Sequence, residues 1–396
     1  MFNAQHFFFA SLAASICTTA SAQDPKSLSD LQAEIEALAS DLENALLVDV
    51  MPALGESAYG LGPAASKVYN SKSGLSIGGY GEGRYRNFDS GTDEFDFHRG
   101  VLYFGNKFND NWILNTEIEI EHVNEVFLEF AYLDHLHSEG LNMRVGLMLT
   151  PMGLVNEMHE PTTFLTSTRS LTESYVIPST WRENGLGIFG SSGDLNYKVY
   201  AINGMDGSGY GGTKGLRSGR QKGAKAAAED FAVVGSIEWT GMPGLRLGLS
   251  SYEGAAGQGG ADGDMNTSIT EIHADYRSGP FWGRALIADA KVTDRAPSAG
   301  GNMSLGGSYV EAGYDLFADR EDEALYPFVR WETIDTDVSS GRFDSEDNYF
   351  PGFKDHVMTY GLHYQPTSQV VFKLDRSSYQ DGTQSDVTTF LVGYAF

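Results

Sequence analysis

Charged side chains at every second position are the first feature that suggests chemistry. Glu117, Glu119 and Glu121 stand two residues apart on one segment and Glu129 on the next, while Glu82, Arg84 and Arg86, then Arg99 and Arg144, hold polar positions on nearby alternating segments. Residues two apart project from one face of an extended chain. Such sets do no bond chemistry; they sort solutes. Rings of carboxylates favour cations, rings of guanidinium groups favour anions, and facing bands of opposite sign put a transverse field across a water-filled path. The alternative is that the two sets pair with each other or merely solvate a polar face. Arg169 and Arg182 join the basic set. Further on, Lys214, Arg217, Arg220, Lys222 and Lys225 cluster among glycines and alanines. They would attract anions at the mouth of the path, bind lipopolysaccharide phosphates, or stay solvated on a surface loop.

Other chemistries find less support. His135 and His137 share a strand face, but no third ligand stands at a metal-site spacing, so no metal and no cofactor are expected. Ser, His and Asp are abundant without a nucleophile motif in a defined context, and the chain is not expected to be an enzyme. An outer-membrane barrel enzyme or an adhesin is the alternative from another class. Net charge is -26, from 53 acidic and 27 basic residues, which repels nucleic acid. The single cysteine, Cys17, leaves no pair for a disulfide.

The elements that must carry these charges are strands. About sixteen alternating segments can be laid down between Gly74 and Phe396, from Leu75–Phe88 to Val387–Phe396. In the third, Trp112, Leu114, Thr116, Ile118 and Ile120 alternate with the glutamates, one side for lipid and one for water. In the fifth, Leu141, Met143, Val145, Leu147 and Leu149 are expected outward and Asn142, Arg144 and Thr150 inward. Connections alternate between tight turns, such as Asn109-Asp110-Asn111 and Ser278-Gly279-Pro280, and long loops, such as 151–184, 204–230, 253–268 and 335–354. Short turns on one side and long loops on the other mark an outer-membrane barrel. The fold class read from this pattern is all-β: a transmembrane antiparallel β-barrel over 74–396. Averaging lipid and water faces explains a mean hydropathy of only -0.26.

The N-terminal part reads differently. An apolar run from Phe7 to Ala20 ending in Ala20-Ser21-Ala22 is expected to be a signal peptide, residues 1–22, with Gln23 the mature start. Leu28, Leu31, Ile35, Leu38 and Leu42 then follow at alternating spacings of three and four, the a/d pattern of a coiled coil. Residues 23–51 are therefore expected to form a short periplasmic helix that needs partners, with dimer and trimer both open. The Gly/Ser/Ala-rich stretch 52–73 reads as a linker. At the other end, Phe390, Val392, Tyr394 and Phe396 share one strand face with an aromatic last. This is similar to the signal that outer-membrane assembly machinery reads.

The block Phe97-His98-Arg99-Gly100-Val101-Leu102, Asn111-Trp112, Glu129-Phe130-Ala131-Tyr132, Arg144-Val145-Gly146 and Thr150-Pro151-Met152-Gly153 resembles the phosphate-selective porin family, the O and P porins. Thr168-Arg169-Ser170-Leu171 and Trp181-Arg182-Glu183-Asn184-Gly185-Leu186-Gly187 continue the likeness. The resemblance implies a sixteen-stranded barrel in the outer membrane among lipid and lipopolysaccharide, a homotrimer, and a third loop, here 151–184, folded into the pore. Two positions depart from the family pattern: His98-Arg99 stands in place of a double arginine, and Leu149 in place of a lysine. Both departures remove positive charge. The expectation is a weakly selective channel for small hydrophilic solutes or ions, with an anion- or phosphate-selective channel as the alternative.

Overall fold

The computed structural model describes residues 29, 32–40, 54–72, 74–211, 214–299, 301–336, 354–381 and 384–396. The chain divides into two units, 1–48 and 49–396. In the first, residues 32–40 are helical, and Ile35 and Leu38 are 65% and 55% exposed. The expected signal peptide, Leu28, Leu31 and Leu42 lie outside the described residues.

The second unit is built on sixteen strands: β1 Gly74–Phe88, β2 Glu94–Lys107, β3 Trp112–Glu121, β4 Glu125–Ser138, β5 Leu141–Leu149, β6 Arg182–Ser192, β7 Leu195–Asn203 and β8 Phe231–Met242, followed by β9 Leu245–Gly254, β10 Asn266–Ser278, β11 Phe281–Thr293, β12 Met303–Tyr314, β13 Ala324–Asp335, β14 Lys354–Thr367, β15 Val370–Tyr379 and β16 Val387–Ala395. Each pairs antiparallel with its sequence neighbours, and β1 pairs with β16 to close the barrel. Closure leaves no free sheet edge, which a strand in lipid could not tolerate. At the seam Phe396 donates to the Gly79 carbonyl at 2.9 Å and accepts from its amide at 3.0 Å.

Period two sets the faces. On β3, Ile113, Asn115, Glu117 and Glu119 are buried in the interior, while Trp112 and Ile120 are exposed on the outside. β5 departs from the expected alternation. Gly146 adopts φ 137°, a conformation open to glycine. Beyond it Met148, Leu149 and Thr150 are all buried, and Leu149 packs with Leu61, Tyr103 and Phe130 instead of facing outward.

Connections sort by end of the barrel. Tight turns such as 139–140, 193–194, 243–244 and 279–280 lie at the end where Phe396 sits, and the longer loops lie opposite. Two exceptions occur. The connection 315–323 is long for a turn, tied by Asp315 Oδ1 accepting from the amides of Phe317 and Leu325, both at 2.9 Å. His122 to Asn124 is short for a loop, and His122 and Val123 both take positive φ, 50° and 70°.

Candidate functional site

Three segments occupy the interior. The first is the connection 150–181, here L3, which turns inward and runs along the wall. Lumen-facing side chains hold its main chain. Lys373 donates to the carbonyls of Phe164 and Thr166 at 2.8 and 2.9 Å, Arg284 to that of Thr163 at 2.6 Å, and Arg330 to Thr166 Oγ1 at 2.9 Å. Carboxylates take the amides: Asp375 that of Ser167 at 2.5 Å, Glu332 that of Thr172 at 2.6 Å. Within the loop, Glu173 accepts from the amides of Leu154 and Val155, and Tyr309 of β12 donates to it at 2.8 Å. Met152, Leu154, Val176 and Ile177 seal the loop against Tyr252, Leu286 and Leu305 of the wall. Charged hydrogen bonds of this kind are stronger than neutral ones.

The second segment is 54–72, where composition suggests a linker. It is packed inside the barrel on β1 to β5. Leu61, Ala64, Ala65 and Val68 are almost fully buried, and Lys67–Asn70 forms a single helical turn. Asn115 Nδ2 donates to the Ala65 carbonyl at 3.0 Å, and the Tyr69 hydroxyl to Asp134 at 2.7 Å. Glu160 of L3 accepts from the amides of Ala64 and Ala65 at 2.9 and 3.0 Å.

The third is the connection 204–230, here L4, which folds back over L3. The Leu216 amide donates to the Tyr175 carbonyl at 3.0 Å, and Glu183 accepts from the amides of Gln221 and Lys222. Arg217 donates to the Ser179 carbonyl, and Arg220 to the carbonyls of Ser179 and Thr180 at 2.9 and 2.7 Å. Burial, and then neighbouring arginines, pull both guanidinium groups down, Arg217 to about 10 and Arg220 to about 9. Both therefore stay charged at neutral pH.

Above these segments remains a cavity of about 430 Å³. Its wall supplies Arg84, Arg86, Arg99 and Arg182, and the two loops supply Arg169, Arg217, Arg220 and Lys222. Three carboxylates oppose these eight cations: Glu82, Glu121 and Glu129. All three are already engaged. Arg99 Nε lies 2.9 Å from Glu82 and its Nη2 3.3 Å from Glu121, and Arg182 lies 2.7 Å from Glu129. Arg169 has no ion pair or hydrogen bond among the described residues, and Arg217 and Arg220 contact only main-chain carbonyls and a Thr180 hydroxyl. Arg84 and Arg86 also have carboxylate neighbours, Asp96 at 3.8 Å and Glu94 at 3.2 Å, so the excess positive charge of the cavity falls on Arg169, Arg217, Arg220 and Lys222, in a chain of net charge -26.

This arrangement redraws the expected site. The acidic and basic sets do not face each other across the lumen. They lie side by side on β1 to β6 and pair, Arg99 reaching Glu119 at 2.7 Å as well. Strand order around a closed meander follows chain order, so this adjacency could have been read in the sequence. Glu117 and Glu119 are fully buried, Glu117 lying 3.2 Å from His159 Nε2. Arg144 is buried too, bonded to Asp134 at 2.8 and 2.9 Å with its guanidinium over the Tyr132 ring at 3.8 Å. It is not part of the cationic cavity's lining. Of the basic loop, Arg217, Arg220 and Lys222 turn to the cavity while Lys214 and Lys225 are exposed and stand outside it. The anchors Arg284, Arg330, Glu332, Lys373 and Asp375 escaped sequence reasoning, although each sits at an inward position of an alternating strand.

Asp96, His98 and His122 bring donor atoms within 4.8 Å of one another. They make a poor ligand set. Arg99 Nη2 stands 2.6 Å from His98 Nε2 and can only donate. His98 Nε2 is therefore the acceptor, and its Nδ1 carries the ring proton where a metal would need a lone pair.

The fold is that of sixteen-stranded outer-membrane porins. The chain superposes on Salmonella typhi OmpF in complex with daunomycin with a TM-score of 0.58 at 14% identity, covering 83% of this chain and 99% of that one. For the anion-selective porin from Comamonas acidovorans the TM-score is 0.52 at 15% identity, with 82% and 100% covered. For OmpT, an outer membrane protein of Vibrio cholerae, with loop L8 deleted, it is 0.56 at 9%, with 81% and 99% covered. In sequence the chain is 34% identical over 377 residues to an uncharacterized protein of Aquifex aeolicus (strain VF5), covering 88% of this chain and 86% of that one, and it belongs to the same family. No family model matches the chain.

Proposed function

We propose that this protein is an outer-membrane porin, a channel for passive diffusion of small hydrophilic solutes that prefers anions to cations. The cationic cavity carries this reading: eight arginines and lysines against three paired carboxylates. The sequence alone sets the two charge groups near balance and points to weak selectivity. L4 adds Arg217, Arg220 and Lys222 to the pathway, and burial removes Glu117 and Glu119 from it, which tips the balance to anions. Charges within a Debye length of the path, about 8 to 10 Å in physiological salt, outweigh the distant acidic surface. The anion-selective porin of Comamonas acidovorans is a precedent for such a preference on this fold.

The rest of the proposal rests on the sequence pattern and on the barrel fold. Residues 1–22 direct export, assembly machinery reads the strand ending in Phe396, and lipid and lipopolysaccharide surround the wall. Residues 23–51 form a helix that joins three copies through Leu28, Leu31, Ile35, Leu38 and Leu42. One neighbour, OmpT of Vibrio cholerae, is described in a trimer form. Planar-bilayer recording under a potassium chloride gradient tests the central claim. A reversal potential of the anion-selective sign is expected, and one of the cation-selective sign would overturn it. Block of chloride current by micromolar phosphate would raise anion preference to a specific phosphate site.

A further inference from the structure

The seat of residues 54–72 is cut into the wall. Gly78 and Gly105 face the lumen from β1 and β2. A Cβ at Gly78 would meet the Ala64 carbonyl at 2.9 Å, and one at Gly105 would strike the Val68 side chain. Tyr59 packs edge-on against Tyr69 and Phe189, with ring centroids 4.9 and 5.0 Å apart. With the segment seated, the β1 to β5 side of the lumen is filled at the end where Phe396 sits. At that end a cavity of about 560 Å³ is bordered by Arg246, Asp275 and Arg277, and the segment's own Ser57 and Pro63 form part of its rim.

The mode of attachment differs from that of L3. L3 is tied to a strand at both ends, whereas 54–72 joins the wall only through β1. It adds no strand to the sheet, and its described contacts to the wall are hydrogen bonds that involve side chains, with the Tyr69 hydroxyl meeting Tyr132, Asp134 and Arg144, together with ring contacts and apolar packing. It can therefore leave without breaking any strand pairing. We propose that residues 54–72 are a releasable plug, so that the pore conducts fully only when the segment leaves its seat on β1 to β5, with Glu160 as its latch to L3. The proposal rests on the channel reading and goes beyond it.

A reversible crosslink between positions 59 and 189, whose native rings stand 5.0 Å apart across the seat, tests it. The one native cysteine, Cys17, falls in the expected signal peptide. The Y59C/F189C protein, bridged by a short bis-methanethiosulfonate reagent, is recorded in planar bilayers crosslinked and then reduced, with crosslinking verified by loss of free thiol. The crosslinked channel is expected to lose the large openings, and reduction to restore them. Equal amplitudes and open times in the two states would overturn the plug while leaving the channel reading intact; no current in any form, the unmodified protein included, would overturn the channel reading first. A second variant, G105F, fills the seat from the wall side. It should raise conductance about twofold if half the lumen is freed, and unchanged conductance in an assembled G105F barrel would also refute the plug.

Discussion

Lys373 of β15 holds Phe164 of L3 in two ways at once: it donates to the carbonyl at 2.8 Å, and its ammonium stands 3.9 Å from the centre of the ring. A side chain that would be costly to bury alone is held by two loop carbonyls and the Phe164 ring, so wall and loop specify each other. K373M removes two charged hydrogen bonds, to the carbonyls of Phe164 and Thr166, each worth about 1.5 to 3 kcal/mol. The variant should unfold at lower denaturant concentration, and its single-channel current should become noisier as L3 loosens. A quiet trace at unchanged stability would mean that the other anchors suffice.

Selectivity should follow the cations that have no carboxylate partner. R169Q and R220Q each shift the reversal potential toward cations, because each removes a charge that nothing in the cavity neutralises. E119Q should leave the reversal potential nearly unchanged, since that carboxylate is buried against Arg99, and should lower stability instead. A larger selectivity shift for E119Q than for R169Q would contradict the assignment.

Arg144 and Asp134 form a buried pair beneath the Tyr69 hydroxyl. R144M strands a buried carboxylate and should cost about 3 to 5 kcal/mol. R144M/D134N should recover much of that loss. Denaturant titration of the two variants in detergent distinguishes a pair that is costly to break from one that is stabilising overall.

Glu160 gives plug seating a pH dependence. Burial raises its carboxyl from 4.5 to about 7, against the amides of Ala64 and Ala65 that lower it. The groups around it are Lys67 of the plug, Glu117 of β3, Tyr103 of β2 and His159 of L3 itself, the last held neutral by burial at about 3. The seated state therefore binds the proton more tightly than the released one. This contribution to seating is complete below the ordinary value and is lost as pH rises toward the seated value. Conductance should rise between about pH 5 and about pH 8, and E160Q should flatten that rise. A decline over the same interval would reverse the sign and exclude Glu160 as the cause.

Deleting Phe396 removes both hydrogen bonds to Gly79 and the ring that lies over that glycine. The yield of barrel with heat-modifiable mobility on gels should fall, while synthesis stays constant.

Period two made the barrel legible, and the first and last strands begin and end within one residue of their expected places. Each strand's lipid and water faces are stated locally, residue by residue. The failures share a cause, which is that tertiary partners are not stated locally. Leu149 looks outward by parity, but it is buried against Leu61, Tyr103 and Phe130 beyond the positive φ of Gly146. The 54–72 segment reads as a linker because it uses apolar surface that the barrel provides and carries little of its own. Lys373, Arg284 and Arg330 could be placed facing inward, but nothing in their spacing says that they would grip L3 and leave the cavity to L4. The cationic cavity was half visible: its arginines were identifiable, and the folding of L4 back over them was not.

The β1 to β16 seam makes construction of this molecule all-or-none. Until the first and last strands meet, the growing sheet carries two bare edges, each a template for the wrong neighbour. No intermediate strand can stand in, because the Phe396 to Gly79 contact joins opposite ends of the sheet, and closing so long a loop offers its reward only at completion. A cell making this protein must therefore shelter both edges for the whole of its assembly, and a chaperone that bound only one would leave the other free to aggregate.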